Sequence, residues 1–269
     1  MLAEALRAAG LGALQGLTEF LPVSSSGHLA LAEAALGLDA REWIAFDVAV
    51  HVATLAAVVV AFRKEIREVL TTNRRLIPML VAGSVPAGVV GILLGDEIKA
   101  LRGMPLAIGA GFALTAVLLV AGERAASKFA QKHGEAFAGT GRPLEAVGLA
   151  DAFVVGLLQA VAIAPGVSRS GSTISAGMLR GVDRRAAVAF SFLLSVPAIL
   201  GAAVLEARQI GGFAAASALP LAAGFLAAFV TGLVALKLLV IAVERAKLKY
   251  FAAYCAMMAV ATAAVWVLM

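Results

Sequence analysis

The sequence predicts an all-α polytopic membrane protein, with six spanning helices and two re-entrant helix hairpins arranged as an inverted-topology repeat. Three observations predict it. First, the 269 residues are 62% hydrophobic and only 14% charged, with a mean hydropathy of +0.97. Soluble domains carry roughly a quarter charged residues, and a soluble chain this apolar could not cover its surface. Second, six stretches are long and apolar enough to cross a bilayer, which takes about 20 helical residues. Third, two polar motifs recur at an offset of 144 residues. Gln15 aligns with Gln159, Val23-Ser24 with Val167-Ser168, Ser26-Gly27 with Ser170-Gly171, and Phe46 with Phe190. Between the aligned serines one copy has Ser25 and the other Arg169.

Residues 1–36 form the first hairpin, broken at Pro22–Gly27, where proline removes a backbone donor and glycine permits a sharp turn. Spans follow at 43–62, 76–94 and 104–121. The hydrophilic stretch 122–143, with Gly139-Thr140-Gly141, reads as a flexible linker. A second hairpin at 144–185 breaks at Pro165–Gly171, and spans follow at 187–205, 217–240 and 250–268. One membrane domain thus divides into a first repeat, 1–121, and a second, 144–269.

Basic residues collect in Arg63–Arg75, Arg124–Arg142 and Glu244–Lys249, while 95–103 and 206–216 are short and nearly neutral. With the basic segments in the cytoplasm, 43–62 and 104–121 run inward and 76–94 outward, and each direction reverses in the second half. The first hairpin then enters and leaves from outside, the second from inside, as in many transporter folds. Non-helical backbone at membrane depth is tolerated only where it is buried or lines a wet cavity, so the two tips are expected to line one. Glu65 and Glu68, among arginines, read as a solvated loop, and Lys237 as snorkelling from a helix end.

The net charge of +5 does not point to nucleic acid, because Lys and Arg sit at the ends of apolar segments as topology signals. The single cysteine, Cys255, excludes a disulfide framework. The opening Met1-Leu-Ala-Glu4 lacks the basic region of a cleavable signal peptide.

The tips carry the chemistry. A helix that restarts at a break exposes backbone N–H groups and a positive dipole end, and two such ends converging make an anion site. Hydroxyls line both: Ser24, Ser25 and Ser26 on one, Ser168, Ser170, Ser172 and Thr173 on the other. Arg169 adds a permanent cation whose planar fork suits phosphate oxygens. Its alternative role is structural, capping carbonyls or pairing with Glu19. A pseudo-two-fold axis near the tips would set Ser25 opposite Arg169, one attacking a phosphorus and the other gripping the phosphate. Glu19 can serve as a base or hold a divalent cation. His28, three residues past Ser25, is within a helical turn of it and can act as its proton acceptor, or it is a satisfied core histidine. Asp47 and His51, four residues apart, can pair on one helix face as support or as interhelical glue.

Three signatures fail. Gly166–Thr173 lacks the Gly-Lys-Ser/Thr ending of a Walker loop, and no Cys/His spacing suits zinc. The type-2 phosphatidic acid phosphatase signature needs a histidine six residues after its arginine, where this chain has Ser175.

What the motifs do match is one family. Gln15-Gly-Leu-Thr-Glu-Phe-Leu-Pro-Val-Ser-Ser-Ser-Gly-His28 and Pro165-Gly-Val-Ser-Arg-Ser-Gly-Ser-Thr173 resemble, almost letter for letter, the two signatures of the bacterial undecaprenyl-diphosphatases, the bacitracin-resistance proteins. Length and apolar segments agree along the whole chain. The resemblance implies a multi-pass protein of the bacterial inner membrane that removes the terminal phosphate of undecaprenyl diphosphate, with its active site facing the periplasm. It returns the monophosphate carrier lipid to cell-wall synthesis. It further implies a divalent cation, Mg²⁺ or Ca²⁺, near Glu19. The catalytic positions carried over are Glu19, Ser25, His28 and Arg169, with Gln15, Ser24, Ser26, Ser168, Ser170 and Thr173 around the diphosphate. Gln15 stands where some members have glutamate; it cannot ionise, so the acidic burden falls on Glu19. A homodimer is left open.

The rival reading is a secondary transporter or flippase for a phosphate-bearing polyprenyl lipid, since broken helices in inverted repeats are its usual architecture. The Ser25/Arg169 asymmetry favours chemistry, because a site that only binds could use the same residue twice. A purely structural membrane subunit would leave Glu19, His28 and Arg169 unexplained.

Overall fold

Helix follows helix through the described residues of a computed structural model, which are 1–38, 43–133, 141–207 and 218–268. They comprise α1 (Leu2–Phe20), α2 (Ser25–Leu36), α3 (Ile44–Ala61), α4 (Arg63–Thr71), α5 (Leu76–Leu93), α6 (Gly95–Ala100), α7 (Pro105–His133), α8 (Leu149–Val161), α9 (Arg169–Leu179), α10 (Arg184–Ala207), α11 (Ala218–Glu244) and α12 (Leu248–Leu268). Five of these, α5, α7, α10, α11 and α12, are long and apolar enough to cross a membrane; α3 with α4 makes a sixth if that pair, bent by 72°, is one span. The chain is thus a helical, multi-pass membrane protein.

Small residues decide how the helices cross. Along α1, Ala5, Ala8, Gly12, Gln15 and Gly16 are buried at helical spacing, and this stripe lies on α11. A Cβ at Gly12 would overlap the Gly224 backbone, and one at Gly16 would overlap Ala228 and Gly232. Close backbone approach between small residues is how helices associate without a hydrophobic driving force from lipid. The second half returns the arrangement. Gly156 of α8, which is Gly12 plus 144, packs on the Gly83 backbone of α5. Each half's opening helix therefore rests on a long helix of the other half.

These contacts also fix where the broken helices stop. Gly12 lies at Gly224, Gly16 at Ala228 and Phe20 at Gly232, so α1 runs parallel to α11 and ends partway along it. The rest of α11, Gly232 to Glu244, extends about 18 Å farther at 1.5 Å per residue. From its start at Ser25, α2 passes Phe112 of α7 at Gly27 and returns toward the 3-10 turn at Leu101–Gly103. In the other half, α9 leaves its break, packs Ser175 on Gly122 of α7 and ends where Arg180 meets Asp151 near the start of α8.

The basic segments gather at one end of the bundle. Glu123 of α7 accepts from Arg184 of α10 at 2.6 Å and from the Leu248 backbone N–H of α12 at 3.3 Å. Arg184 also reaches the Val243 carbonyl of α11, and Arg185 pairs with Glu244 at 2.6 Å.

Three segments depart from the sequence reading. Residues 63–71, expected as a solvated loop around Glu65 and Glu68, form α4. The reason is an apolar stripe, Ile66 and Val69, which packs with Leu76, Leu80 and Leu193 while the charges stay outside. The stretch 122–143, expected as a linker, is helical through His133, because Leu119, Ala126 and Ala130 keep the core period going. Gly139-Thr140 lies outside the described residues, whereas Arg142 bonds across to Gly181 and Asp183 at 2.9 Å each way. The stretch 95–103, expected as a plain loop, is α6 followed by the 3-10 turn; most of 206–216 lies outside the described residues.

Candidate active site

The two breaks meet. A Cβ at Gly27 would crowd the Gly166 backbone and the Phe112 ring, and Gly171 already lies close to the Pro22 ring. Ser170 Oγ reaches the Leu21 carbonyl at 3.5 Å. Both restarting helices are capped in the same way. Ser24 Oγ accepts from Gly27 N–H and neighbours Ser26 Oγ at 3.3 Å. Ser168 Oγ accepts from Gly171 N–H at 3.1 Å and neighbours Ser170 Oγ at 3.2 Å. Serine at this position satisfies one of the four orphan donors of the first turn. The turns reach their caps differently, however. In the second break the positive φ falls on Gly166 (83°), but in the first it falls on Ser24 itself (69°). A non-glycine residue held there costs about 1–3 kcal/mol and marks sites where surroundings impose the backbone.

Thr115 of α7 holds the second break from the side. Its hydroxyl donates to the Gly166 carbonyl at 3.1 Å and accepts from the Ser168 N–H at 2.9 Å. Gly111, one turn earlier, lets the Pro165 and Gly166 backbone lie directly on the helix.

Glu19, at the last turn of α1, is where the halves join chemically. Arg169 Nη2 donates to its Oε1 at 2.6 Å, and Ser25 Oγ donates to its Oε2 at 2.6 Å. Gln15 Nε2, one turn back, donates to the same Oε2 at 3.2 Å. Ser25 and Arg169, the unlike pair between the aligned serines, thus grip opposite oxygens of one carboxylate. The set is not saturated: Arg169 Nη1 and Gln15 Oε1 are buried without a hydrogen-bond partner. His51 of α3 lies within electrostatic reach of Glu19.

His28 takes a different place from the one its spacing suggests. Its Nδ1 is 2.7 Å from the Ser24 carbonyl and its Nε2 is 2.7 Å from Tyr254 Oη of α12. It therefore makes no bond to Ser25, whose hydroxyl turns to Glu19 instead. The helical turn that separates Ser25 from His28 points the two side chains toward different partners. Thr173 is also engaged elsewhere, with Ser191 Oγ of α10 at 2.6 Å and the Arg169 carbonyl at 2.8 Å; it braces α9 against α10. Asp47 and His51 meet through the Asp47 backbone carbonyl at 2.7 Å, and the Asp47 carboxylate lies 3.7 Å from Arg102. Thr115 and Tyr254 escaped the sequence reading: each is a lone polar residue in an apolar span, with no local pattern to mark it.

Among the described residues no cluster of three or more His, Cys, Asp or Glu side chains could cage a metal ion. One carboxylate, Glu19, stands beside the Gln15 amide, whose Nε2 faces it and whose Oε1 has no partner; with the amide turned over, the two oxygens make a donor set suited to a hard cation that brings its remaining ligands with it. A separate cavity of about 820 Å³ opens at the basic end among α3, α10 and α11, lined by Phe62, Leu233, Leu236 and Val240; no tip residue lines it.

The sequence matches relatives along nearly the whole chain. Residues 8–261 match the family described as bacitracin resistance protein BacA. An undecaprenyl-diphosphatase of Bacteroides fragilis is 41% identical over 265 residues, covering 94% of each chain. One of Rubrobacter xylanophilus is 40% identical over 268 residues, covering 93% of this chain and 94% of its own. Another, of Korarchaeum cryptofilum, is 36% identical over 275 residues, covering 96% and 98%. With its tip chemistry and a match across 8–261, the chain belongs to the BacA family of bacitracin resistance proteins.

Proposed function

We propose that the protein hydrolyses undecaprenyl diphosphate to undecaprenyl phosphate and inorganic phosphate, recycling the carrier lipid for cell-wall synthesis. The observation that carries the reading is Glu19, which holds the Ser25 hydroxyl and the Arg169 guanidinium at 2.6 Å each from opposite halves of the chain. A nucleophile with a base in hydrogen-bond reach, beside a cation with a spare donor, is the arrangement of phosphoryl transfer by a serine. The curated relatives are named for this activity.

In the reaction, Arg169 Nη1 and the first-turn N–H groups of α2 and α9 receive the distal phosphate oxygens. Ser25 Oγ attacks the distal phosphorus while its proton passes to Glu19. The bond from phosphorus to the bridging oxygen breaks, undecaprenyl phosphate leaves, and water then hydrolyses the phosphoserine. Glu19, and Gln15 once its amide turns Oε1 toward the carboxylate, would hold a divalent cation, Mg²⁺ or Ca²⁺. Such an ion, when bound, neutralises the charge of the diphosphate. The prenyl chain lies against apolar helix faces open to lipid.

Two re-entrant hairpins within an inverted-topology repeat account for the fold. The reciprocal contacts Gly12–Gly224 and Gly156–Gly83, and helices that stop partway along their neighbours, support this. With the basic end in the cytoplasm, α1 and α2 open toward the periplasm, so the substrate enters from that side of the inner membrane.

The test is phosphate release from undecaprenyl diphosphate by purified protein in detergent, with and without chelator. Multiple turnover that Arg169→Ala abolishes is expected. A wild-type protein that binds the lipid but releases no phosphate overturns the reading and moves a transporter to first place. Near-normal turnover by Ser25→Ala would replace the serine by water as the attacking group.

A further inference from the structure

Tyr254 belongs to no motif, yet among the described residues its side chain hydrogen-bonds the His28 ring. Its phenol Oη is 2.7 Å from His28 Nε2. Its ring stacks on the imidazole, 7° from parallel with centroids 5.6 Å apart, while Phe112 meets the imidazole edge-on at 5.3 Å. The other ring nitrogen, Nδ1, is 2.7 Å from the Ser24 carbonyl. A carbonyl oxygen can only accept, so Nδ1 carries the hydrogen. In a neutral ring Nε2 is then the bare nitrogen, and the phenol donates to it. The two bonds select one tautomer from opposite sides, and the two aromatic rings fix its plane.

The bond also links parts of the site that must work together. Ser24 caps the helix that carries Ser25, so the Nδ1–H bond ties the imidazole to the strained turn beside the nucleophile. Tyr254 is 36% exposed where His28 is 8% exposed, so the phenol lies between the histidine and the perimeter of the bundle. Its neighbour Cys255 bonds the Pro22 carbonyl of the same turn at 3.5 Å. Ser24, Pro22 and His28 of one half are therefore registered against α12 of the other.

We propose that Tyr254 is a positioning residue for His28: its phenol occupies Nε2 and, with the Ser24 carbonyl on Nδ1–H, holds the imidazole against the turn that carries Ser25. The proposal rests on the phosphatase reading for its catalytic part and on geometry alone for its hydrogen-bonding part. Tyr254→Phe separates them, because it removes one oxygen and keeps the stacked ring.

Two readouts are taken on the full-length protein in detergent. Nitrogen-15 spectra of labelled histidine, with the His28 signals assigned by their loss in His28→Gln, report the tautomer; the chain has only His28, His51 and His133 to resolve. Steady-state phosphate release reports kcat and KM separately. Wild type is expected to show His28 as an Nδ1–H tautomer with a hydrogen-bonded Nε2, and Tyr254→Phe the same tautomer, held by the Ser24 carbonyl, with the Nε2 resonance shifted by loss of the phenol donor. The kcat of Tyr254→Phe is expected to fall about 10-fold with KM within about twofold, less than the 10²–10⁴ that a proton-transfer group itself contributes. Tyr250→Phe, one turn earlier and 62% exposed, leaves both readouts unchanged.

An unaltered His28 Nε2 resonance in Tyr254→Phe overturns the proposal whatever the rate does. A shifted Nε2 resonance with kcat unchanged overturns its catalytic part. No phosphate release by the wild type is failure of the phosphatase reading instead, and the spectra still decide whether Tyr254 positions the ring.

Discussion

Glu19 and Asp151 are both buried carboxylates held by arginine, and the comparison separates a site from a brace. Asp151 is closed. Arg142 binds it with both teeth at 2.8 and 2.9 Å, Arg180 Nε adds a bond at 2.9 Å, and the Gly148 N–H another at 3.1 Å. The arginine is spent as well, since Arg142 also caps the Arg180 and Ala146 carbonyls. This cluster ties the start of α8 to the end of α9 and has nothing left over for a ligand. Glu19 is open. Its arginine uses a single tooth and leaves Nη1 buried without a partner, and its glutamine leaves Oε1 the same way. A buried donor without a partner is a debt of about 1–3 kcal/mol, and a phosphate that satisfies it returns that stabilisation as binding. Residue types alone do not distinguish the two clusters; saturation does.

Substitutions at the two clusters should therefore fail in different assays. The largest effect is expected for Arg169→Lys, which keeps the charge and loses the fork. Phosphate release per folded molecule should drop about 100-fold or more, while the thermal midpoint in detergent moves little. A drop in the midpoint with kcat preserved would make Arg169 a second brace and erase the contrast. Next comes Asp151→Asn, which leaves two arginines without their anion. It should destabilise the fold by about 1–3 kcal/mol, below the 3–5 kcal/mol of a fully buried pair, because the Arg142 and Arg180 side chains are 39% and 43% exposed. The kcat of the folded fraction should be unchanged.

Gln15→Glu sharpens the comparison from the open side. A second carboxylate beside Glu19 should lower the half-saturating Mg²⁺ concentration for phosphate release, by roughly 10-fold, since charge count tunes affinity at oxygen sites. An unchanged Mg²⁺ dependence would remove Gln15 from the ligands proposed for a cation.

The smallest effect is one of pH. Hydrogen bonds from Arg142 hold the Asp151 carboxyl down at about 2, below its ordinary 3.8. A depressed carboxyl contributes stability that is present above its unfolded pKa and lost as pH falls through the folded one. The wild-type midpoint should thus decline from about pH 4 toward pH 2 more steeply than that of Asp151→Asn.

Much of this could be read in the sequence, because the informative residues are adjacent. Ser24–His28 and Pro165–Thr173 are compact, and their breaks, caps and polar content follow from Pro, Gly and Ser rules acting over a few residues. The spans were legible for the same reason, since hydropathy is local. What escaped depends on distant partners. Tyr254 faces a histidine 226 residues away and Thr115 a turn about 50 residues on, and neither has a neighbour that marks it. Arg142, inside the supposed linker, gives no sign that it meets Asp151 and Arg180. The spacing of Ser25 and His28 suggested a pair, but the N-cap role of Ser24 captures the imidazole first, and Glu19 captures the hydroxyl. The α4 stripe is two residues long and is outvoted by five charges around it.

The reciprocal seating of α1 on α11 and of α8 on α5 has a consequence for biosynthesis. When Gly12 leaves the ribosome, its partner Gly224 has not been made. At ~5–20 residues per second, roughly 10–40 s pass before the surface that receives α1 exists. Through that interval Gln15, Glu19 and the serines of the first tip have no packed groove to occupy, and for most of it the carboxylate has no Arg169. The first half can be inserted but not completed; assembly of the site must wait for the last third of the chain, and the two halves mature as one unit.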